Sequence, residues 1–81
     1  MDVFYTDTAK RQLKKLEYDF QERIVDKVRF YAAQPDPLEF AEPLTGHDAY
    51  RFRIGDYRVA INVEDDTITV ISIRRRDEAY R

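Results

Sequence analysis

The stretch Tyr50-Arg51-Phe52-Arg53-Ile54-Gly55-Asp56-Tyr57-Arg58-Val59-Ala60-Ile61-Asn62-Val63 decides the fold. Tyr50, Phe52 and Ile54 alternate with Arg51 and Arg53, and Tyr57, Val59, Ile61 and Val63 alternate with Arg58, Ala60 and Asn62. A side-chain period of two describes a strand with one apolar and one polar face. Gly55-Asp56 between the two runs reads as a two-residue hairpin loop, which sets Ile54 against Tyr57, Phe52 against Val59 and Arg53 against Arg58. Two guanidinium groups then share one face, an arrangement that destabilises an empty sheet and that an anion lodged between them would reverse. Arginine suits that task because its forked donors match phosphate geometry and its charge persists at any accessible pH. The same side chains could instead lie over apolar surface and pair with carboxylates, as most charged strand residues do.

Working outward, Glu64-Asp65-Asp66 makes a second turn, and Thr67-Ile68-Thr69-Val70-Ile71-Ser72-Ile73 is dense in β-branched residues with apolar side chains on both faces, so it is expected to be a central strand. The tail from Arg74 to Arg81 is charged and is expected to leave the sheet. Upstream, Pro43-Leu44-Thr45-Gly46 is a turn into the hairpin, and Gln34-Pro35-Asp36-Pro37 ends a helical segment because proline removes a donor and restricts the residue before it. The stretch between, to Asp48, reads as loop. Leu13, Leu16, Phe20, Ile24, Val28 and Tyr31 fall on one face of a helical wheel, a stripe that covers a sheet. Asp19-Phe20-Gln21-Glu22 has capping-box spacing, so two helices joined near Tyr18 and one long helix are both open. Thr6-Asp7-Thr8 offers N-cap side chains for a helix beginning near Ala9, and Val3-Phe4-Tyr5 before it is a short strand. The fold class is therefore α+β: an N-terminal strand plus a C-terminal three-stranded meander in an antiparallel or mixed sheet, covered by an N-terminal helical pair.

Eighty-one residues suit a single domain, 1–81, with a modest core. The absence of cysteine removes disulfides and thiolate metal sites, and the lone His47 cannot form a histidine metal cluster. His47 itself reads as an ordinary loop residue. No stretch has the apolar length of a membrane span and the N-terminus lacks signal-peptide character, which makes the cytoplasm the expected compartment. A net charge of −2 argues against a general polyanion binder. Charge is nevertheless unevenly spread: residues 1–50 hold seven basic and ten acidic side chains, whereas residues 51–81 hold seven and six, and those seven are all arginine.

The phrase Tyr50-Arg51-Phe52-Arg53-Ile54-Gly55-Asp56-Tyr57-Arg58-Val59, followed by Val70-Ile71-Ser72-Ile73 and Arg76-Asp77-Glu78-Ala79-Tyr80, resembles the RelE/ParE toxin superfamily, most closely its RelE-type members. The resemblance spans essentially the whole chain and is most specific from Leu44 to Tyr80. It implies a type II toxin that cleaves messenger RNA on the ribosome, by attack of a ribose 2′-hydroxyl on the adjacent phosphate without a metal. It implies three catalytic residues: Arg58 on the scissile phosphate, Arg76 stabilising the charge that develops there, and Tyr80 orienting or exchanging a proton with the reacting hydroxyl. Arg51, Arg53, Arg74 and Arg75 would bind RNA. The implied partners are a RelB-like antitoxin, the ribosome and mRNA, with no membrane and no small-molecule cofactor. Because a guanidinium cannot serve as a base near neutral pH, the general base is left unassigned. Two other roles on the same fold stay open: a ParE-type inhibitor of DNA gyrase, and a weakened toxin that acts through its antitoxin and their shared promoter.

Overall fold

The computed structural model describes residues 1–45 and 49–77. The chain runs β1 (Asp2–Tyr5), α1 (Asp7–Lys14), α2 (Tyr18–Ala32), a 3₁₀ turn (Pro37–Phe40), β2 (Ala41–Pro43), β3 (Ala49–Ile54), β4 (Tyr57–Glu64) and β5 (Thr67–Arg75). The five strands form one sheet in the order β1-β5-β4-β3-β2, with β1 parallel to β5 and the other pairs antiparallel. The expected α+β layout is therefore present with one strand more than anticipated: β2 lies within the segment read as loop. Three residues are too few for a period of two to register.

The hairpin register is the one read from the sequence, with Phe52 on Val59, Arg53 on Arg58 and Ile54 on Tyr57. Gly55 has φ of +58° and occupies the first position of the two-residue loop, a left-handed backbone that glycine adopts without steric cost. The β4–β5 loop is likewise two residues, Asp65 and Asp66, both at positive φ, as a type I′ turn requires.

Two helices are present, of the two arrangements left open. Thr6 caps α1, its hydroxyl accepting from the Ala9 amide at 3.1 Å. α2 begins at Tyr18 behind Glu17, whose side chain makes no cap bond, so the spacing at Asp19 and Glu22 does not act as a capping box. Ile24, Val28 and Ala32 of α2 and Ala9 of α1 are buried against Phe52, Ile54, Val59, Ile61, Ile68, Val70 and Ile73 of the sheet. Leu13, Leu16 and Tyr31 border that core, and the Phe20 ring meets Tyr57 at 5.6 Å between centroids.

The apolar side chains on both faces of β5 have a specific cause. Ala60 pairs with Ser72 but Ile61 pairs with Val70, so Ile71 is an extra residue, a β-bulge. The bulge reverses the alternation of the strand. Before it Ile68 and Val70 face the core, and after it Ile73 does, while Ser72 and Arg74 turn to the outer face and Ile71 stands 40% exposed. Two side chains secure the bulged edge just beyond the last residue of β1: the Thr6 hydroxyl donates to the Ile71 carbonyl at 3.1 Å, and the Gln12 side-chain oxygen accepts from the Ile73 amide at 2.7 Å. Also contrary to expectation, Arg74 and Arg75 remain within β5 and do not leave the sheet.

Ile73→Ala should cost about 2–5 kcal/mol in chemical denaturation, as for other buried aliphatic truncations, whereas Ile71→Ser should stay within about 0.5 kcal/mol of the parent protein. Equal losses at the two positions would mean that both side chains lie on the same face and that the bulge is absent. Gln12→Ala, by leaving the partly buried Ile73 amide without its acceptor, should lower stability by about 1–3 kcal/mol.

Candidate functional site

The face of the sheet opposite the helices carries the cationic side chains. Arg51 and Arg53 alternate with the buried residues of β3, Arg58 with those of β4, and the bulge adds Arg74 from β5, whose register partner is Arg58. Arg51, Arg58 and Arg74 line one open depression of about 250 Å³ together with Leu44, Ala60 and Ser72. Ala60 and Ser72, register partners on β4 and β5, contribute small side chains to its lining.

Arg58 is the unusual member. It is only 8% exposed, and it is the one charged residue in the buried class among the described residues. Its Nη1 donates to the carbonyls of Gly55 at 3.2 Å and Tyr57 at 3.1 Å, which fixes the guanidinium against the hairpin, while its Nε is buried with no hydrogen-bond partner. Arg58 makes no ion pair among the described residues. A buried charge without a direct ion pair is costly unless something completes its hydrogen bonding.

Arg51 and Arg53 are held differently. Glu42 of β2, the register partner of Arg51, sends one carboxylate oxygen to Arg51 Nη2 at 2.8 Å and the other to Arg53 Nε at 3.0 Å. The Arg51 hydrogen bond, more than the neighbouring charges of Arg53, Arg51 and Arg58, holds the Glu42 carboxyl below the usual carboxylate range, against a smaller opposing effect of desolvation. The direct Arg53–Arg58 apposition is thus relieved by Glu42 on one side and by turn carbonyls on the other. Arg51 Nε is also buried without a partner.

The other candidate residues lie around this depression and not in it. Arg75 borders a neighbouring hollow between α1 and the sheet, with Gln12, Lys15, Leu16, Tyr57, Ile73 and Arg74, and its Nε stands 3.9 Å from Asp77. Arg76 follows in the turn after β5, where its backbone amide donates to the Asp56 carbonyl at 2.7 Å, and it borders a third hollow with Asp56, Arg75 and Asp77. Tyr80 and His47 lie outside the described residues. Glu42 is the residue that sequence reasoning missed. Its only signal was a lone acid between Ala41 and Pro43, in a segment with no discernible period. Among the described residues no group of acidic or histidine side chains could hold a metal ion, and no helix is long and apolar enough to cross a membrane.

Two helices on one face of a five-stranded open mixed sheet are the architecture of RelE-like toxin folds. A family model described as the ParE toxin of type II toxin-antitoxin systems matches residues 3–80, and the chain belongs to that family, within the RelE/ParE superfamily. Among solved structures, the RelBE2 toxin-antitoxin complex of Mycobacterium tuberculosis is 26% identical with a TM-score of 0.75, covering 93% of this chain and 90% of that one. The archaeal RelE–RelB complex of Pyrococcus horikoshii is 26% identical with a TM-score of 0.73 and 93% coverage of both chains. The chromosomal ParDE system of P. aeruginosa shares the fold at 17% identity, with a TM-score of 0.68 and coverage of 93% of this chain and 95% of that one. No curated protein matches the chain by sequence.

The Glu42 geometry has a direct readout. Followed by NMR at its side-chain carboxyl carbon, Glu42 should titrate below the ordinary glutamate value of about 4.3, and Arg51→Ala should move that titration upward. Because the shift is a depression, the contribution of this contact is present above the ordinary value and is lost as the pH falls through the lowered one. An unchanged titration in Arg51→Ala would mean that the contact contributes nothing in solution.

Proposed function

We propose that this toxin is a ribosome-dependent messenger-RNA endonuclease, with residues 1–81 acting as one toxin domain. The observation that carries the reading is Arg58: a guanidinium committed to burial, with no direct ion pair among the described residues and Glu42 acting on it only at longer range, fixed by the hairpin in a depression shared with Arg51 and Arg74. A phosphodiester supplies what that group lacks, since its non-bridging oxygens accept forked hydrogen bonds and carry the missing negative charge.

In the reaction, the ribose 2′-hydroxyl loses its proton, its oxygen bonds to phosphorus, and the bond to the 5′-oxygen breaks as that oxygen takes a proton. The products are a 2′,3′-cyclic phosphate and a 5′-hydroxyl. No atom of this route has to come from a metal or cofactor. Arg58 holds the phosphate, Arg76 approaches from the turn after β5 as charge develops on it, and Tyr80 handles a proton at the reacting hydroxyl. Arg51, Arg53, Arg74 and Arg75 contact the flanking strand. Preorganised donors in a desolvated site stabilise developing charge because they need not reorganise as it appears. The partners are mRNA on the ribosome, in the cytoplasm, and a RelB-like antitoxin, the kind of protein with which the mycobacterial and archaeal relatives form their complexes.

A second reading has its own support. The matching family model is that of ParE toxins, and a ParE-type inhibitor of DNA gyrase would use the same fold as a protein-binding surface. Primer extension on message translated by programmed ribosomes separates the two. Position-specific cuts are expected from the parent protein, with Arg58→Ala and Arg76→Ala slower by about two to three decades, the usual loss for one donor to a developing oxyanion. Tyr80→Phe should slow cleavage without weakening RNA binding. An intact message together with trapped gyrase–DNA complexes would overturn the nuclease reading in favour of gyrase inhibition.

A further inference from the structure

Glu42 is the acid that the outer face holds against its arginines. Four cationic side chains, Arg51, Arg53, Arg58 and Arg74, share that face, and the ion pairs of Arg51 and Arg53 are both made with this one carboxylate. Its two oxygens are split between two guanidinium groups at 2.8 and 3.0 Å, the spacing of charge-assisted hydrogen bonds and the way a phosphate would engage the same pair. Arg51 is therefore shared: its Nη2 is bonded to Glu42, while the side chain also lines the depression with Arg58 and has a buried Nε without a partner.

We infer that Glu42 is a specificity-determining residue, an internal anion that occupies Arg51 and Arg53 in the empty toxin and must yield Arg51 before a phosphodiester can engage the full arginine set. The inference rests on the proposal that the depression takes RNA phosphate. It follows that the cleft discriminates by the number of phosphates offered. A single phosphate at Arg58 and Arg74 has to compete with Glu42 for Arg51, in a contact where protein and ligand present the same charge. A strand bearing several phosphates engages Arg58, Arg74 and their surroundings together, and the multiple contacts displace the carboxylate. Glu42 thereby biases the site against free phosphate and mononucleotides, which are abundant competitors for any exposed arginine cluster.

Around Glu42, Arg51 and Arg53 of β3 and Arg58 of β4 are the charged groups that act on it. The 3₁₀ turn that precedes β2 contributes Glu39, which is exposed. β2 is a three-residue edge strand paired only with β3, so the carboxylate can withdraw without disturbing the core.

The test is binding, kept apart from cleavage by using an oligoribonucleotide blocked with 2′-O-methyl groups, with inorganic phosphate as the single-anion probe. Affinities are measured for the parent protein, Glu42→Gln and Glu42→Asp, with thermal melting as the check on folding. Glu42→Gln should tighten inorganic phosphate by about fivefold, the scale of one exposed ion pair, and the oligonucleotide by less, so that the gap between them narrows. Glu42→Asp should restore the parent gap. In the parent protein, where no substitution can disturb folding, saturating oligonucleotide should move the Glu42 carboxyl titration up toward the ordinary glutamate value as Arg51 leaves it. Unchanged or weaker phosphate binding by a folded Glu42→Gln protein, or a Glu42 titration indifferent to the oligonucleotide, would overturn the inference. If neither probe binds the parent protein, the reading of the depression as a phosphate site fails as well. Binding of both probes with no effect of Glu42 defeats this inference alone.

Discussion

The structure depends on one extra residue. A strand that alternates without interruption and buries Ile68 and Val70 would also send Ser72 and Arg74 into the core, whose apolar side chains offer a guanidinium no hydrogen-bond partner. The bulge at Ile71 shifts the phase once, so the first half of β5 fills the core with Ile68 and Val70 and the second half fills it with Ile73 while presenting Ser72 and Arg74 outward. Beside the bulge β1 has already ended, so backbone groups on that edge of β5 have no strand to bond to, and the Ile71 carbonyl and Ile73 amide are taken up by the Thr6 hydroxyl at the N-cap of α1 and by the Gln12 side chain within it. The first helix is accordingly more than a cover for the sheet. It stabilises the irregularity that brings Arg74 beside Arg58.

Given that arrangement, the arginines are stabilised unequally. Arg53 is largely solvated and shares a carboxylate with Arg51, a contact of the kind that contributes little to stability at a surface. Arg58 is buried and keeps company with backbone carbonyls, which orient a guanidinium but carry only partial charge. A stabilising role for Arg58 would call for a carboxylate on the facing strand, yet its register partners are Arg53 and Arg74. Both neighbours repel it. Local rules are broken there, at one place in an otherwise consistent sheet, which is what marks it as the candidate site.

Much of this was legible in the sequence because period-two patterning and turn chemistry are local. The hairpin register, the Arg53–Arg58 pairing and the helical cover all follow from residues within a few positions of one another. Three features were not legible. The bulge sits in a run of β-branched residues whose composition is the same whether or not the phase shifts. β2 is too short to show alternation, and its acid acquires meaning only from pairing with Arg51, which the β2–β3 register creates. The joint between the helices lies near Tyr18, one of the two arrangements left open, but the capping-box spacing of Asp19 and Glu22 is not its cause: the Leu16 amide bonds to the Leu13 carbonyl, and the Gln21 side chain donates to the Leu16 carbonyl at 2.8 Å. The arginine cluster was therefore legible in its cations, whereas the carboxylate that pairs with Arg51 and Arg53 was not.

The acidic total of the chain, which argued against a polyanion partner, loses its force once charges are placed in space. At physiological ionic strength charges separated by more than about 8 Å are largely screened, so a ligand approaching the outer face responds to the groups there and not to a net charge of −2. Within the cluster of Arg51, Arg53, Arg58 and Arg74, four arginines stand against Glu42, a local balance of +3. The acids that outnumber them lie elsewhere: Asp7 in the first turn of α1, Asp19 in that of α2, and Asp65 and Asp66 in the β4–β5 turn. The first two sit where the helix dipole favours negative charge, and the turn pair occupies left-handed positions that aspartate tolerates. Their placement answers to local structure, so the same sequence can be acidic in total and cationic where the hairpin presents its arginines.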